Sequence, residues 1–160
     1  MNMGRVKRVV LALIVLLVLA QLVQPKRTNP PVVPSRSLEA HVQIPSQVLH
    51  ILKSACGNCH SSETAWPWYS HVAPVSWLIT SDVNEGRNYI NFNDWKAQKS
   101  PEAATEHLGL ICKEIRDGGM PPLSYRWMHK ESRLSPDDVT AVCSWSESFG
   151  APSHPAGHGN

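Results

Sequence analysis

Cys56, Cys59 and His60 form the run Cys56-Gly57-Asn58-Cys59-His60, which reads C-x-x-C-H. Two thiols separated by two residues lie about one helical turn apart. That spacing lets them add, as thioethers, across the two vinyl groups on one edge of a haem. The histidine that follows then lies under the iron and offers an imidazole nitrogen as its proximal ligand. Its other nitrogen requires an acceptor that fixes the ring. A redox dithiol would be expected in a βαβ setting, and none is visible. A zinc site would need two further ligands, but the remaining cysteines, Cys112 and Cys143, are far apart and form no second C-x-x-C.

A second iron ligand is expected downstream. Met120 follows Gly118-Gly119 and precedes Pro121-Pro122. Glycine permits close backbone approach and proline stiffens the loop, so the setting is unlike that of a core methionine. A thioether sulfur is a soft, neutral ligand for haem iron. Met128 lacks this setting, and His129 and His71 are the alternatives. Trp66, Trp68 and Trp77 follow the motif closely and are expected to wall the macrocycle. Arg87 is read as a solvated arginine, with a haem propionate as its alternative partner, and His50 as a helix-surface histidine.

The compartment follows from the first residues. Arg5, Lys7 and Arg8 precede Val9 to Gln24, sixteen residues without charge. This is an export signal or a membrane anchor, about 24 Å long as a helix against a hydrocarbon core of ~30 Å. Small residues at Val18-Leu19-Ala20 offer a cleavage point, but the apolar run continues through Leu22 and Val23, which favours an uncleaved anchor. Residues 1–24 are thus a signal or anchor with a cytoplasmic N-terminus, and the rest is expected on the periplasmic side of the inner membrane. Residues 25–37, with Pro25, Pro30, Pro31 and Pro34, read as a semi-rigid spacer. Residues 38–150 are the domain. Residues 151–160, rich in Pro, Gly and His and including His154 and His158, read as a disordered tail.

The net charge of +2 is set by the N-terminus, because five of the fifteen basic residues flank the apolar run. From Pro30 onward thirteen acidic residues outnumber ten basic ones. That balance excludes a nucleic-acid footprint and suits a basic redox partner. The chain shows no Ser/His/Asp set, no paired catalytic carboxylates and no phosphate loop.

The elements that must position these residues read as helices. Pro45-Ser46 opens one carrying Val48, Leu49, Leu52 and Ala55 into the motif. Ala73-Pro74 opens a second, with Val75, Leu78, Ile79 and Val83 as its apolar stripe. Ser100-Pro101-Glu102 opens a third, with Leu108, Ile111, Cys112 and Ile115 inward and Gly118-Gly119 as its stop. Ser135-Pro136-Asp137-Asp138 opens the last, which Gly150 closes. Cys112 and Cys143 fall on apolar faces in an oxidising compartment and are expected to form a disulfide.

The order C-x-x-C-H-S, T-x-W-P-W-Y-S, A-P-V-S-W, E-G-R, N-F-x-x-W, M-P-P-x-x-Y and L-S-P-x-D resembles the bacterial haem-binding domain family, a branch of the cytochrome c-like proteins, over about residues 46 to 149. The resemblance implies an all-α, cytochrome c-like fold around one covalent haem c. It implies Cys56 and Cys59 as thioether positions, His60 as proximal ligand and Met120 as the sixth ligand. It names no reaction and no partner. The expectation is an electron carrier rather than an enzyme, with a haem enzyme or gas sensor, open at the distal site, as the alternative.

Overall fold

The computed structural model describes residues 3–95 and 101–149, with no side chains described for 101–105. The described residues form helices and no strand. They are α1 (Met3–Ala20), α2 (Ser46–Ile51), α3 (Gly57–His60), α4 (Val75–Tyr89), α5 (Pro101–Arg116), α6 (Leu123–Met128) and α7 (Pro136–Glu147). The Ser100 cap, the Gly150 stop and the tail with His154 and His158 lie outside the described residues.

The core gathers Leu38, Val48, Ile51, Leu52, Ala55, Ile90, Trp95, Leu108, Val142 and Trp145. Helix α7 packs on α2 and α5, and α4 packs on α3. The Ser135 hydroxyl accepts the Asp138 N–H while the Asp138 carboxylate accepts the Ser135 N–H, so the expected cap at the start of α7 forms as a reciprocal box. Gly118 takes a φ of 74° just past α5, a left-handed turn that favours glycine and ends the helix. Cys112 and Cys143 are joined as a disulfide, with Cα atoms 4.6 Å apart, and tie α5 to α7. Beside it the Ser146 hydroxyl donates to Leu108 O at 2.5 Å and accepts Cys112 N–H at 3.2 Å.

Two sequence expectations are corrected. The stripe read for α4 is rotated: its buried residues are Ser76, Thr80, Val83 and Gly86, while Val75 and Leu78 are exposed. Small residues face inward because α4 approaches the backbone of α3 too closely for large ones.

Neither the start of the linker, residues 25–37, nor the stretch just before it stands clear of the domain. Gln21 pairs its carboxamide with both backbone groups of Ala73, at 3.0 and 3.1 Å. Trp77 donates to Val23 O at 2.7 Å and Arg27 to Ser70 O at 3.1 Å. Asn29 donates to Thr64 O at 2.9 Å. Polar side chains in this stretch find backbone partners on the domain, which proline content alone does not reveal.

Helix α1 forms, with Val9 to Leu19 exposed on every side. Among the described residues, no helix is long and apolar enough to cross a membrane. Arg5, Lys7 and Arg8 occupy its first turns and shorten its uncharged part.

Candidate functional site

The helix entering the motif is not uniform. Residues Leu52–Cys56 form a π-turn between α2 and α3. Such a turn widens the helix by one residue, and it delivers Cys56 to the first turn of α3. Gly57 is buried, whereas Cys56, Asn58, Cys59 and His60 are partly exposed.

His60 is fixed from two sides. Its Nδ1 lies 3.1 Å from the carbonyl oxygen of Ile90. A carbonyl can only accept, so Nδ1 carries the proton and Nε2 presents its lone pair. Burial lowers the His60 pKa, which favours the neutral ring that a metal needs. The His60 carbonyl accepts Phe92 N–H at 2.8 Å, and the Phe92 ring lies 5.9 Å from the imidazole. The Asn91-Phe92-Asn93 turn therefore holds the ligand, and Asn93 Oδ1 accepts Ser62 N–H at 2.8 Å.

Asn58, between the two cysteines, ties three segments together. Its Oδ1 accepts Ala65 N–H at 2.9 Å, and its carbonyl accepts the Thr64 hydroxyl at 2.7 Å. Its Nδ2 donates to the Tyr125 hydroxyl at 2.5 Å. Arg87 completes the frame. It donates to Ser61 O and Thr28 O, each at 2.7 Å, and to Thr64 Oγ1 and Asn29 Oδ1, each at 2.8 Å. It is therefore a structural arginine and not the solvated one expected from sequence.

Cys56 and Cys59 are free in the structure. Burial, and then the neighbouring Cys59, pushes the Cys56 thiol up to about 12. Burial, and then Asp82, pushes Cys59 up to about 11. Redox dithiols and thiolate metal sites require the opposite shift. Two free sulfurs separated by two residues, next to a histidine whose Nδ1 is bound to a carbonyl and whose Nε2 is left open, suit a covalent haem.

Met120 lies in the loop between α5 and α6, with its N–H donated to Glu114 O at 3.1 Å and its side chain 41% exposed. Helix α6, which follows this loop, reaches the motif through Tyr125, which bonds Asn58. His129 has neither nitrogen free. Its Nδ1 donates to Glu131 at 2.9 Å, and its Nε2 accepts the Tyr69 hydroxyl at 2.5 Å. Its ring also stacks on Tyr125 at 4.2 Å. His71 and Met128 are exposed.

The three tryptophans each have a neighbour in the structure. Trp66 donates its indole N–H to Asn29 and Trp77 to Val23, while Trp68 is 76% exposed with its ring edge-on to Tyr69. Tyr69 and Tyr125 stand beside the motif. Burial raises both phenol pKa values, with Cys59 among the further causes, and Tyr125 reaches about 12.

A cavity of about 230 Å³ lies on another side of α3, lined by Leu38, Leu52, Lys53, Gly57, Asn58 and Phe92 among others. It includes neither cysteine nor His60. Cys112, Cys143 and Glu147 lie close together, but both sulfurs are spent on the disulfide, so they make no metal site.

Sequence reasoning assigned no role to Gly86, Ile90, Asn58, Tyr69 or Tyr125. Three of them fall inside the quoted patterns E-G-R, W-P-W-Y-S and M-P-P-x-x-Y, so a signal was present without a geometry to interpret it. A family model described as a haem-binding domain matches residues 15–148. No curated protein and no solved structure matches the chain.

Proposed function

This chain belongs to the haem-binding domain family, and from that premise we propose that it is a single-haem electron carrier, its haem held covalently by Cys56 and Cys59. The observation that carries the reading is the His60–Ile90 hydrogen bond. It leaves Nε2 as the free donor atom, on the residue that follows two neutral sulfurs. A haem so held supplies a one-electron iron couple.

The chain's own residues do the rest. Ile90 and Phe92 hold the His60 ring, Asn58 fixes the turn between the cysteines, and Gly86 seats α4 against it. Met120 would supply a second ligand to the iron, which would close the site to substrate and raise the potential relative to a second imidazole. Trp68, Trp66 and Trp77 belong to the surface around the site.

The N-terminal apolar segment exports the domain and tethers it, on the periplasmic side of the inner membrane in this reading. Covalent attachment in bacteria takes place on that side. The redox partner is a protein that accepts a mildly acidic surface.

A second reading is a haem enzyme or sensor with a displaceable distal ligand, favoured by the 41% exposure of Met120. A pyridine haemochrome assay on the purified protein, with intact mass, tests the cofactor: one haem bound through two thioethers is expected, and haem-free protein overturns the proposal. Met120→Ala then separates the two readings. If Met120 is the ligand, the parent is low-spin with a methionine–iron charge-transfer band, and the variant loses that band and binds cyanide. A parent that is already high-spin and cyanide-avid selects the enzyme or sensor.

A further inference from the structure

Three rings and an amide form one chain of contacts beside the motif. The Tyr125 hydroxyl accepts from Asn58 Nδ2 at 2.5 Å. The Tyr125 ring stacks on the His129 imidazole, with centroids 4.2 Å apart. The Tyr69 hydroxyl donates to His129 Nε2 at 2.5 Å, and His129 Nδ1 donates to Glu131 at 2.9 Å. A carboxylate accepts, so the ring carries its proton on Nδ1 and Nε2 is the acceptor. The backbone of His129 is fixed as well. Its carbonyl accepts the N–H and the hydroxyl of Ser132, at 3.1 and 2.7 Å, and Ser132 is fully buried. The turn Lys130–Ser132 packs in its turn on the π-turn Leu52–Cys56.

Apolar side chains would fill the same space at a lower desolvation cost. Polar groups there must be satisfied one by one, and each hydrogen bond fixes a direction that packing alone leaves free. The contacts converge on α6, because Tyr125 lies on that helix and His129 is its C-cap. Met120 lies five residues before Tyr125, and two of the four residues between them are Pro121 and Pro122, which restrict the backbone. On its other side the Met120 N–H is donated to Glu114 O at 3.1 Å. The place of the sulfur is therefore set from α5 on one side and from α6 on the other. Of the two, α6 is tied directly to the turn between Cys56 and Cys59, through Asn58.

We propose that Tyr125 and His129 are positioning residues for the second iron ligand: by locking α6 to the turn between Cys56 and Cys59 they keep the Met120 sulfur on the haem iron and set how often it leaves. Tyr69 acts through His129. This rests on the reading of Met120 as the second ligand given above. Both His129 nitrogens are occupied by these contacts, so the histidine supports the methionine rather than replacing it. Groups that orient a metal ligand without touching the metal govern how firmly that ligand is held. An iron whose sulfur leaves more often is open to exogenous ligands for more of the time.

The test uses the full-length ferric holoprotein and its Tyr125→Phe, Tyr69→Phe, His129→Gln and His129→Leu variants. Trp127→Ala, at a residue 72% exposed on α6, is the control. At saturating cyanide the rate of cyanide binding is capped by the rate at which the sulfur leaves. Tyr125→Phe and His129→Leu should keep one covalent haem per chain and bind cyanide about fivefold faster, the factor that the loss of one hydrogen bond carries. Tyr69→Phe should shift the rate in the same direction. His129→Gln, whose amide oxygen is able to accept the Tyr69 hydroxyl, should fall between the parent and His129→Leu, and Trp127→Ala should bind at the parental rate. A Tyr125→Phe variant that melts lower but binds cyanide at the parental rate overturns the positioning role and leaves Met120 as the ligand. Where Tyr125→Phe fails to take up haem, the two His129 variants decide, and equal rates in that pair overturn the role. A parent without the methionine–iron charge-transfer band overturns both the role and the ligand reading.

Discussion

Gly86 lies against Cys59 so closely that a Cβ on the glycine would stand 2.7 Å from the Cys59 carbonyl oxygen and 3.2 Å from the Cys59 Cβ. The contact is with backbone, which cannot rotate away. It explains why α4 turns Ser76 and Thr80 inward and leaves Leu78 outside. The helix trades apolar burial for a close approach to the turn that carries both sulfurs.

Gly86→Ala therefore separates α4 from the motif. Overpacking of this kind costs about 1–3 kcal/mol. The Ile90 carbonyl that holds His60 lies just beyond the end of the same helix, so the ligand shifts with it. The melting temperature and the haem content per chain should both fall. A variant with full haem content and parental melting temperature refutes the close-approach role.

Much of this was legible in sequence. The motif, the helix order, the capping box and the Cys112–Cys143 pair all depend on local spacing or on counting, and the structure has each of them. The resemblance to the haem-binding domain family is borne out by the match over residues 15–148. The face of α4 was misread because hydropathy ranks Leu78 above Gly86, and a close backbone contact inverts that ranking. Arg87 was misread for a related reason. Its acceptors at Thr28, Asn29, Ser61 and Thr64 come from two distant segments, and no spacing in the chain announces their meeting.

The disulfide spans 31 residues and ties the helix that enters the Met120 loop to α7. Closing such a loop is worth roughly 3–4 kcal/mol in the chain-entropy model. Replacing both cysteines by alanine should lower the unfolding free energy by about that amount and weaken the methionine–iron band, if the bond steadies the loop. Alkylation of the unreduced, denatured parent followed by intact mass should find neither Cys112 nor Cys143 modified. Two alkylated cysteines there would sink the prediction.

The cap of α7 gives a pH signature. The Ser135 hydroxyl, and then its backbone N–H, hold the Asp138 carboxyl below its ordinary value of 3.8. A depressed folded-state value means that the stabilisation is fully present above the unfolded pKa and is lost as pH falls through the folded one. Ser135→Ala should cost about 1 kcal/mol near neutral pH. Denaturant unfolding of parent and variant should differ by that amount down to about pH 5, and the gap should narrow without closing as pH drops below about 3, because the Ser135 hydroxyl also accepts the Asp138 N–H, which does not titrate. A gap that stays constant into acid would show that the carboxylate takes no part.

Arg87 offers the sharpest test of how residues 21–29, a strap across the domain, are held. Four acceptors surround its guanidinium: Ser61 and Thr64 follow the motif, and Thr28 and Asn29 belong to the linker. The planar fork of arginine reaches them together, whereas the point charge of lysine cannot. Hydrogen bonds to charged groups contribute about 1.5–3 kcal/mol, and solvent screening places this partly exposed site toward the lower end. Arg87→Lys should therefore release residues 21–29 before it unfolds the domain. The observable is tryptic cleavage at Lys26 and Arg27, where Arg27 is itself bonded to Ser70 O and Gln24. Cleavage there should accelerate in the variant while the haem spectrum and the core melting transition change little. Equal cleavage rates in parent and variant would mean that the strap is held by Gln21, Trp77 and Asn29 without the arginine.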